Sequence, residues 1–157
     1  MKESDMEYAD RDELVGELTA LLEAERAGAR VGASLVAEAP DAELKSLAQV
    51  IQSDEVKWAR ALFDALVGLQ AEPSDAVGDF YEKALAIPDF QDRLAFTNRG
   101  QGWVVRKLQA LLPRLRDDRL HAVLTSMLDA HVANIASANA TLERRGRPPP
   151  AARSASS

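Results

Sequence analysis

The chain contains no cysteine. A disulfide framework, a thiolate metal ligand and a thiol nucleophile are therefore all excluded. Aromatic residues are scarce, at 5% of the chain, and there is no excess of positive charge, because the formal net charge is −6. Without a basic excess, neither nucleic acid nor an anionic membrane surface is expected as a partner.

Long apolar runs are missing as well. The polar, acidic start MKESDMEYADRDE has no apolar signal core, and no uninterrupted apolar run reaches the length of a membrane span. The sequence therefore predicts a cytoplasmic protein that does not cross a membrane. What is present is a chain of 157 residues, the size of one domain. It is rich in Ala, Leu, Glu and Arg, which favour helix.

Four segments place apolar residues in alternating steps of three and four, the spacing of a helix with one buried stripe. They begin near Asp12, Asp41, Asp89 and Asp117. The first and third connections are only a few residues long, which requires antiparallel neighbours. The second connection, about residues 70–87, is long and contains a short amphipathic stretch. We expect an all-α four-helix bundle with one long crossover between the second and third helices.

The chain is expected to divide into three parts. Residues 1–11 are predicted to be a flexible N-terminus, and residues 12–143 the helical bundle. The tail, residues 144–157, is rich in Arg, Pro and Ser and is predicted to be disordered.

Each of the four apolar stripes is interrupted by one polar residue aimed at the interior. These residues are Glu25, Glu55, Gln101 and His131. The first two each lie fifteen residues from Pro40 at the first turn, and the other two lie equally far from the second. Residues equidistant from a turn lie at one level in antiparallel helices, so the four predict a polar layer at mid-bundle. Asn134, one turn after His131, is counted with this layer.

Two interpretations of the layer stay open. No Lys or Arg lies on the stripes, and an unpaired buried carboxylate costs several kcal/mol. In the first interpretation, the layer is a metal-free hydrogen-bonded cluster with His131 protonated against a glutamate. In the second, Glu25, Glu55 and His131 bind a single ion. Two oxygens and one nitrogen suit Fe(II), Mn(II) or Zn(II).

The length and connectivity of residues 12–143 resemble the ferritin-like superfamily. The segment RLAFTNRGQGWVVRKL, residues 93–108, is similar to an uncharacterised bacterial branch of that superfamily. In the metal-binding members, two helices each supply a Glu and the other two each supply a Glu-x-x-His. Glu25 and Glu55 match the glutamates of the first and second helices, so the resemblance implies a site that corresponds to the di-iron site of those members.

This sequence departs from the implied ligand set at several positions. Trp58 stands where the second helix would carry its histidine, and Gln101 stands where the third helix would carry its glutamate. The fourth helix reads either Leu128-x-x-His131 or His131-x-x-Asn134, and neither is Glu-x-x-His. The implied di-iron ligand set is therefore degenerate.

Three functions remain open at this point, and with them the question whether the protein is an enzyme. The first is a ferritin-like protein whose site is reduced to a buried polar layer. The second is an oxidoreductase with one metal ion that handles oxygen or peroxide. The third is an oligomeric scaffold.

Three further features of the sequence leave alternatives. Phe96 and Trp103 share the outer face of the third helix, where they are either covered by the crossover or form the interface of a homodimer. Gly28 and Gly32 either let two helices approach closely or leave room for a small ligand beside the polar layer. The arginines of the third helix are predicted to form a solvated face; they are Arg93, Arg99 and Arg106.

Overall fold

The computed structural model describes residues 7–146. Within that range the chain forms helices and no strand, so the prediction of an all-α fold is confirmed. The helices are α1 (Arg11–Glu38), α2 (Ala42–Gly68), α3 (Phe80–Leu85), α4 (Phe90–Leu111) and α5 (Asp118–Arg144). The predictions for residues 1–6 and for the tail from residue 147 lie outside the described residues. None of the helices described is both long and apolar enough to cross a membrane.

An aspartate precedes each of the four long helices. In each case its side chain accepts a hydrogen bond from the backbone N–H three residues on, which satisfies one of the free donors at a helix start. These residues are Asp10, Asp41, Asp89 and Asp117. At the other end of α4, Pro113 lies in a short 3-10 turn, Leu112–Arg114, and α4 ends before it.

Contacts near the helix ends establish the course of the chain. The guanidinium of Arg11 donates to the carbonyl of Leu69, so the end of α2 returns to the start of α1. Arg93, in the first turn of α4, pairs with Glu38 at the end of α1. Residues 69–89 therefore run from one end of the bundle to the other, as the long second connection predicted.

The four long helices close around one interior. The helix α1 packs against α2 and α4, and α5 packs against the same two helices. Arg145, just after α5, pairs with Asp41 and Glu43 at the start of α2, so α2 and α5 run in opposite directions. The short α3 lies against α1 and α4.

Two separate apolar clusters fill the bundle. One contains Leu22, Trp58, Val104 and Met127, and the other contains Val31, Ile51, Leu94 and Ala138. On every long helix the predicted polar residue lies between a member of the first cluster and a member of the second. The predicted polar residues therefore lie between two apolar clusters.

The buried face of α4 differs from the predicted one. Arg99 and Arg106 are exposed as expected, but Arg93 is only 5% exposed, so its assignment to a solvated face is wrong. Burial is tolerated because the guanidinium pairs with Glu38 and donates twice to the carbonyl of Ile87, at 2.9 and 3.1 Å.

Candidate metal centre

Three of the predicted polar residues meet at mid-bundle. Glu25 of α1, Glu55 of α2 and His131 of α5 each offer one ligating atom, and these atoms all lie within 4.8 Å of one another. The side-chain Nε2 of His131 is 2.8 Å from Oε1 of Glu25 and 3.7 Å from Oε1 of Glu55. All three residues are buried, with 0%, 4% and 1% of their surfaces exposed. This buried Glu-Glu-His group could hold a metal ion.

The ring of His131 is held in one orientation by its own helix. Its Nδ1 lies 2.9 Å from the backbone carbonyl of Met127. A carbonyl only accepts, so Nδ1 carries the hydrogen and donates it. In a neutral ring, Nε2 is then the unprotonated nitrogen, and its lone pair faces the carboxylates.

The contact between His131 and Glu25 is close without being a hydrogen bond. Although Nε2 and Oε1 are at hydrogen-bond distance, neither Nε2 nor the two oxygens of Glu25 has a partner in hydrogen-bond geometry among the described residues. An imidazole lone pair and a carboxylate repel each other unless a positive species lies between them. That species is either a proton or a metal ion.

The two carboxyl groups are hard to ionise in this environment. Burial raises the pKa of Glu25 from its ordinary 4.5 to about 7, opposed by its contact with Glu55 and aided by the charge of Asp54. Burial also raises the pKa of Glu55 well above its ordinary value, and the neighbouring Glu25 raises it further. Without a cation, the pair therefore holds protons at a pH where exposed glutamates have lost them.

Gly28 and Gly32 make room for different groups. A Cβ at Gly28 would lie 2.8 Å from Cδ of Glu55 and still closer to its Oε2, so the missing side chain makes room for the carboxyl group. A Cβ at Gly32 would lie 2.9 Å from Cα of Gln52, so that glycine lets α1 and α2 approach. Close approach of two helices therefore applies at Gly32. At Gly28 the carboxyl group of Glu55 occupies the space, and room for a small ligand there stays a prediction.

Gln101 and Asn134 occupy different surroundings from the three clustered residues. Gln101 is 4% exposed and lines a pocket together with Glu55, and neither atom of its amide group has a hydrogen-bond partner among the described residues. Asn134 donates from Nδ2 to Oδ2 of Asp54, at 2.8 Å, and so ties α5 to α2 beside the centre. Asp54 was not among the residues that the sequence predicted for the polar layer, since it lies off the centre of the apolar stripe of α2.

The pocket has a volume of about 400 Å³ and lies between α1, α4 and the crossover. Its interior wall carries Glu55 and Gln101, and the crossover supplies Phe80. The ring of Phe80 rests against Gly100, where a Cβ would lie 2.6 Å from Cζ of the ring. Room beside the polar layer at Gly28, which lines the pocket, was one alternative that the sequence left open, but the contribution of the crossover was not predicted.

The crossover contacts Phe96 and leaves Trp103 partly exposed, so the two aromatic residues of the outer face of α4 differ in their surroundings. Phe96 stacks on Phe80, with ring centroids 4.9 Å apart, and is partly buried. Trp103 lines the pocket and remains 38% exposed. A homodimer interface at these residues stays a prediction.

A known family model matches the part of the chain that contains Glu25, Glu55 and His131. A model described as a domain of unknown function (DUF6306) matches residues 12–140. The chain therefore belongs to the DUF6306 family. No curated protein and no solved structure matches it.

Proposed function

We propose that this member of the DUF6306 family binds one divalent transition-metal ion through Glu25, Glu55 and His131. The observation that carries the proposal is the convergence of three buried donor atoms within 4.8 Å of one another. Three protein ligands from three different helices form a set of two oxygens and one nitrogen, which leaves coordination positions open on an ion.

The orientation of His131 supports metal binding. Histidine ligands generally donate their second ring N–H to a carbonyl or carboxylate, which fixes the tautomer and aims the free nitrogen at the ion. The donation from Nδ1 of His131 to the carbonyl of Met127 provides this arrangement. An ion between Nε2 and Glu25 would also give a partner to the carboxyl group of Glu25, whose oxygens have no hydrogen-bond partner among the described residues.

We further propose that the bundle is ferritin-like. Its support is the connectivity, two short turns and one segment that crosses the length of the bundle, together with a centre at mid-height. A pair of ions does not fit the residues present. Trp58 offers only an N–H donor, Gln101 offers a neutral amide and Leu128 offers no ligand atom. The donor set therefore fits one ion.

The donor set favours Fe(II), Mn(II) or Zn(II) over Ca²⁺ or Mg²⁺, because imidazole suits the transition metals and hard cations prefer oxygen ligands alone. When bound, such an ion supplies Lewis-acid chemistry, and Fe or Mn would add redox chemistry toward oxygen or peroxide. The chain itself contributes a fixed imidazole, two buried carboxyl groups and a neighbouring pocket that opens on Glu55.

A metal-free polar cluster is the second candidate, and the raised pKa values favour it. Because the pKa of Glu25 is about 7 and that of Glu55 is higher than usual, protons can neutralise both groups in the absence of an ion. In that case the layer would determine how the helices align and would have no ligand of its own.

Anaerobic titration of the metal-free protein with Fe(II), Mn(II) and Zn(II), followed by calorimetry and elemental analysis, distinguishes the two candidates. The proposal predicts one ion per chain. It also predicts at least a tenfold loss of affinity, equivalent to about 1.4 kcal/mol, in Glu25→Gln, Glu55→Gln and His131→Leu.

His121→Leu is the matched control, since it changes the other of the two histidines, an exposed residue on the same helix. This variant should bind as the unmodified protein does. If the unmodified protein binds no metal, the second candidate holds, and the layer is a metal-free cluster that aligns the helices. Two ions per chain would contradict the single-ion proposal.

A further inference from the structure

We propose that the pocket beside the centre binds a small neutral carboxamide, through a pair of hydrogen bonds to Gln101. Gln101 is not one of the three metal donors, so the inference goes beyond metal binding and does not depend on it. The chemical class of the ligand follows from the amide, the charges and the volume of the pocket.

The side chain of Gln101 provides the recognition group. It is 96% buried, lines the pocket, and leaves both its Nε2 and its Oε1 without a hydrogen-bond partner among the described residues. Buried polar groups in native proteins nearly always have a partner. A side-chain amide presents two donors on nitrogen and an acceptor oxygen beside them. A ligand amide, which also carries a donor next to an acceptor, would satisfy both ends at once.

The charges on the pocket wall exclude an anionic ligand, and the amide of Gln101 distinguishes an amide from an ammonium ligand. Glu23, Glu55 and Asp79 line the pocket, while no Lys or Arg occurs among its described lining residues. A carboxylate ligand would be repelled by these residues and would find no cation. An ammonium ligand could donate to Oε1 of Gln101, but it would leave Nε2 without an acceptor.

The rest of the pocket is small and apolar. Its volume of about 400 Å³ is near the lower end of ligand sites, which range from about 300 to about 1,000 Å³. The hydrocarbon and aromatic walls come from Ala20, Ala24, Ala27, Val77, Phe80, Trp103 and Val104. An amide attached to one ring or to a short branched chain matches this space.

A matched set of one-ring probes tests the inference on the metal-free protein in the presence of a chelator. The probes are benzamide, benzoate, benzylamine and toluene, which differ mainly in the group offered to Gln101. The chain has two tryptophans, so Trp58→Phe leaves Trp103, on the pocket wall, as the sole reporter of fluorescence. Ligand-observed NMR on the unmodified chain provides a second measurement if that variant is perturbed.

We expect saturable binding of benzamide, at least tenfold tighter than binding of benzoate or benzylamine. Gln101→Met, which keeps the side-chain length, should weaken benzamide at least tenfold and leave toluene within about twofold. Gln101→Leu should give the same result. Gln109→Leu is the control, because Gln109 is an exposed glutamine on the same helix.

Three results would overturn the inference: no binding of benzamide by the unmodified protein, equal binding of benzoate or benzylamine, or unchanged benzamide affinity in both Gln101 variants. None of these results bears on the metal titration, because no metal is present. Metal binding without benzamide binding, or the reverse, would therefore separate the two proposals.

Discussion

At the scale of single residues, Gly28 leaves the space that the carboxyl group of Glu55 occupies. A methyl group there would meet Cδ of Glu55 at 2.8 Å, too close for either group to stay in place. We expect Gly28→Ala to displace the carboxyl group and to lower metal affinity at least tenfold while the helices remain intact. Titration calorimetry with Zn(II) and circular dichroism measure the two effects.

Gly16 supplies the control for that change. It lies on the same helix, and a Cβ there would have no neighbour within 4 Å. Gly16→Ala should keep the full metal affinity and stabilise the protein by about 0.5–1 kcal/mol, the ordinary gain from alanine inside a helix. Equal affinities in the two alanine variants would show that Gly28 does not position Glu55.

The carboxyl group of Glu25 makes the stability of the metal-free protein depend on pH. Its pKa rises from an ordinary 4.5 to about 7 on folding, so between these values the folded state binds more protons than the unfolded state. The free energy of unfolding is therefore highest below about pH 4.5 for this group and declines as pH rises through about 7. The raised pKa of Glu55 acts in the same direction.

Urea unfolding with a chelator present, at about pH 5 and about pH 7.5, measures this dependence. The metal-free protein should be more stable at the lower pH, and Glu25→Gln should show a smaller difference. Metal affinity should change in the opposite direction and increase with pH, since both carboxyl groups must lose their protons to bind an ion. A metal-free protein that gains stability over this range would contradict the raised pKa of Glu25.

At the scale of helices, Arg93 attaches the start of α4 to the end of α1 and to the crossover. Its guanidinium is buried, pairs with Glu38 and donates to the carbonyl of Ile87. We expect Arg93→Ala to destabilise the protein by about 1.5–3 kcal/mol, because the carbonyl of Ile87 and the half-exposed carboxylate of Glu38 lose a charged donor.

Arg106→Ala is the comparison for Arg93, because Arg106 is exposed on the same helix. Its effect should stay within about 0.5 kcal/mol, as for most surface substitutions. Denaturant unfolding of the two variants measures the difference. Similar midpoints would mean that the ion pair of Arg93 contributes little to the attachment of α4.

The helices and the level of the polar residues were predictable because both depend on local spacing. Asp41 and Asp89 mark helix starts through their own side chains, and Glu25 and Glu55 lie equally far from one turn. The burial of Arg93 was not predictable in this way, because it depends on Glu38, which is 55 residues away in the chain. The pocket depends on where Phe80 of the crossover meets Gly100, and no periodicity reports such a contact.

Asp54 shows why the direction of a side chain on its own helix does not predict all of its contacts. Asp54 lies off the centre of the stripe of α2, yet it accepts a hydrogen bond from Asn134 and adds its charge to the environment of Glu25. The spacing of residues along α2 does not show how close α5 comes to Asp54. Only the packing of α5 against α2 reveals that pair.

At the scale of the whole molecule, the polar layer divides the core into two apolar clusters. Replacing Glu25, Glu55, Gln101 and His131 together with well-packed apolar residues should stabilise the metal-free bundle, since the desolvation of four polar groups is removed. Replacing His131 alone with leucine should destabilise it by about 2–4 kcal/mol, because the carboxyl groups lose their only nearby imidazole.

Thermal and urea unfolding of the two variants, with His121→Leu as the control, tests that contrast. A stable quadruple variant beside a weakened single variant would mean that the layer is kept for binding at a cost in stability. A quadruple variant that fails to fold would contradict this and would show that the layer aligns the four helices.

Anomalous diffraction from crystals grown with Co(II), a spectroscopic substitute for Zn(II) or Fe(II), tests the central claim most directly. We predict one anomalous peak per chain, bound to one oxygen of Glu25, one oxygen of Glu55 and Nε2 of His131, at about 2.0–2.2 Å from each. Nδ1 of His131 should still donate to the carbonyl of Met127. Absence of a peak among these three residues, in crystals where the ion is present in excess, would contradict the proposed metal centre.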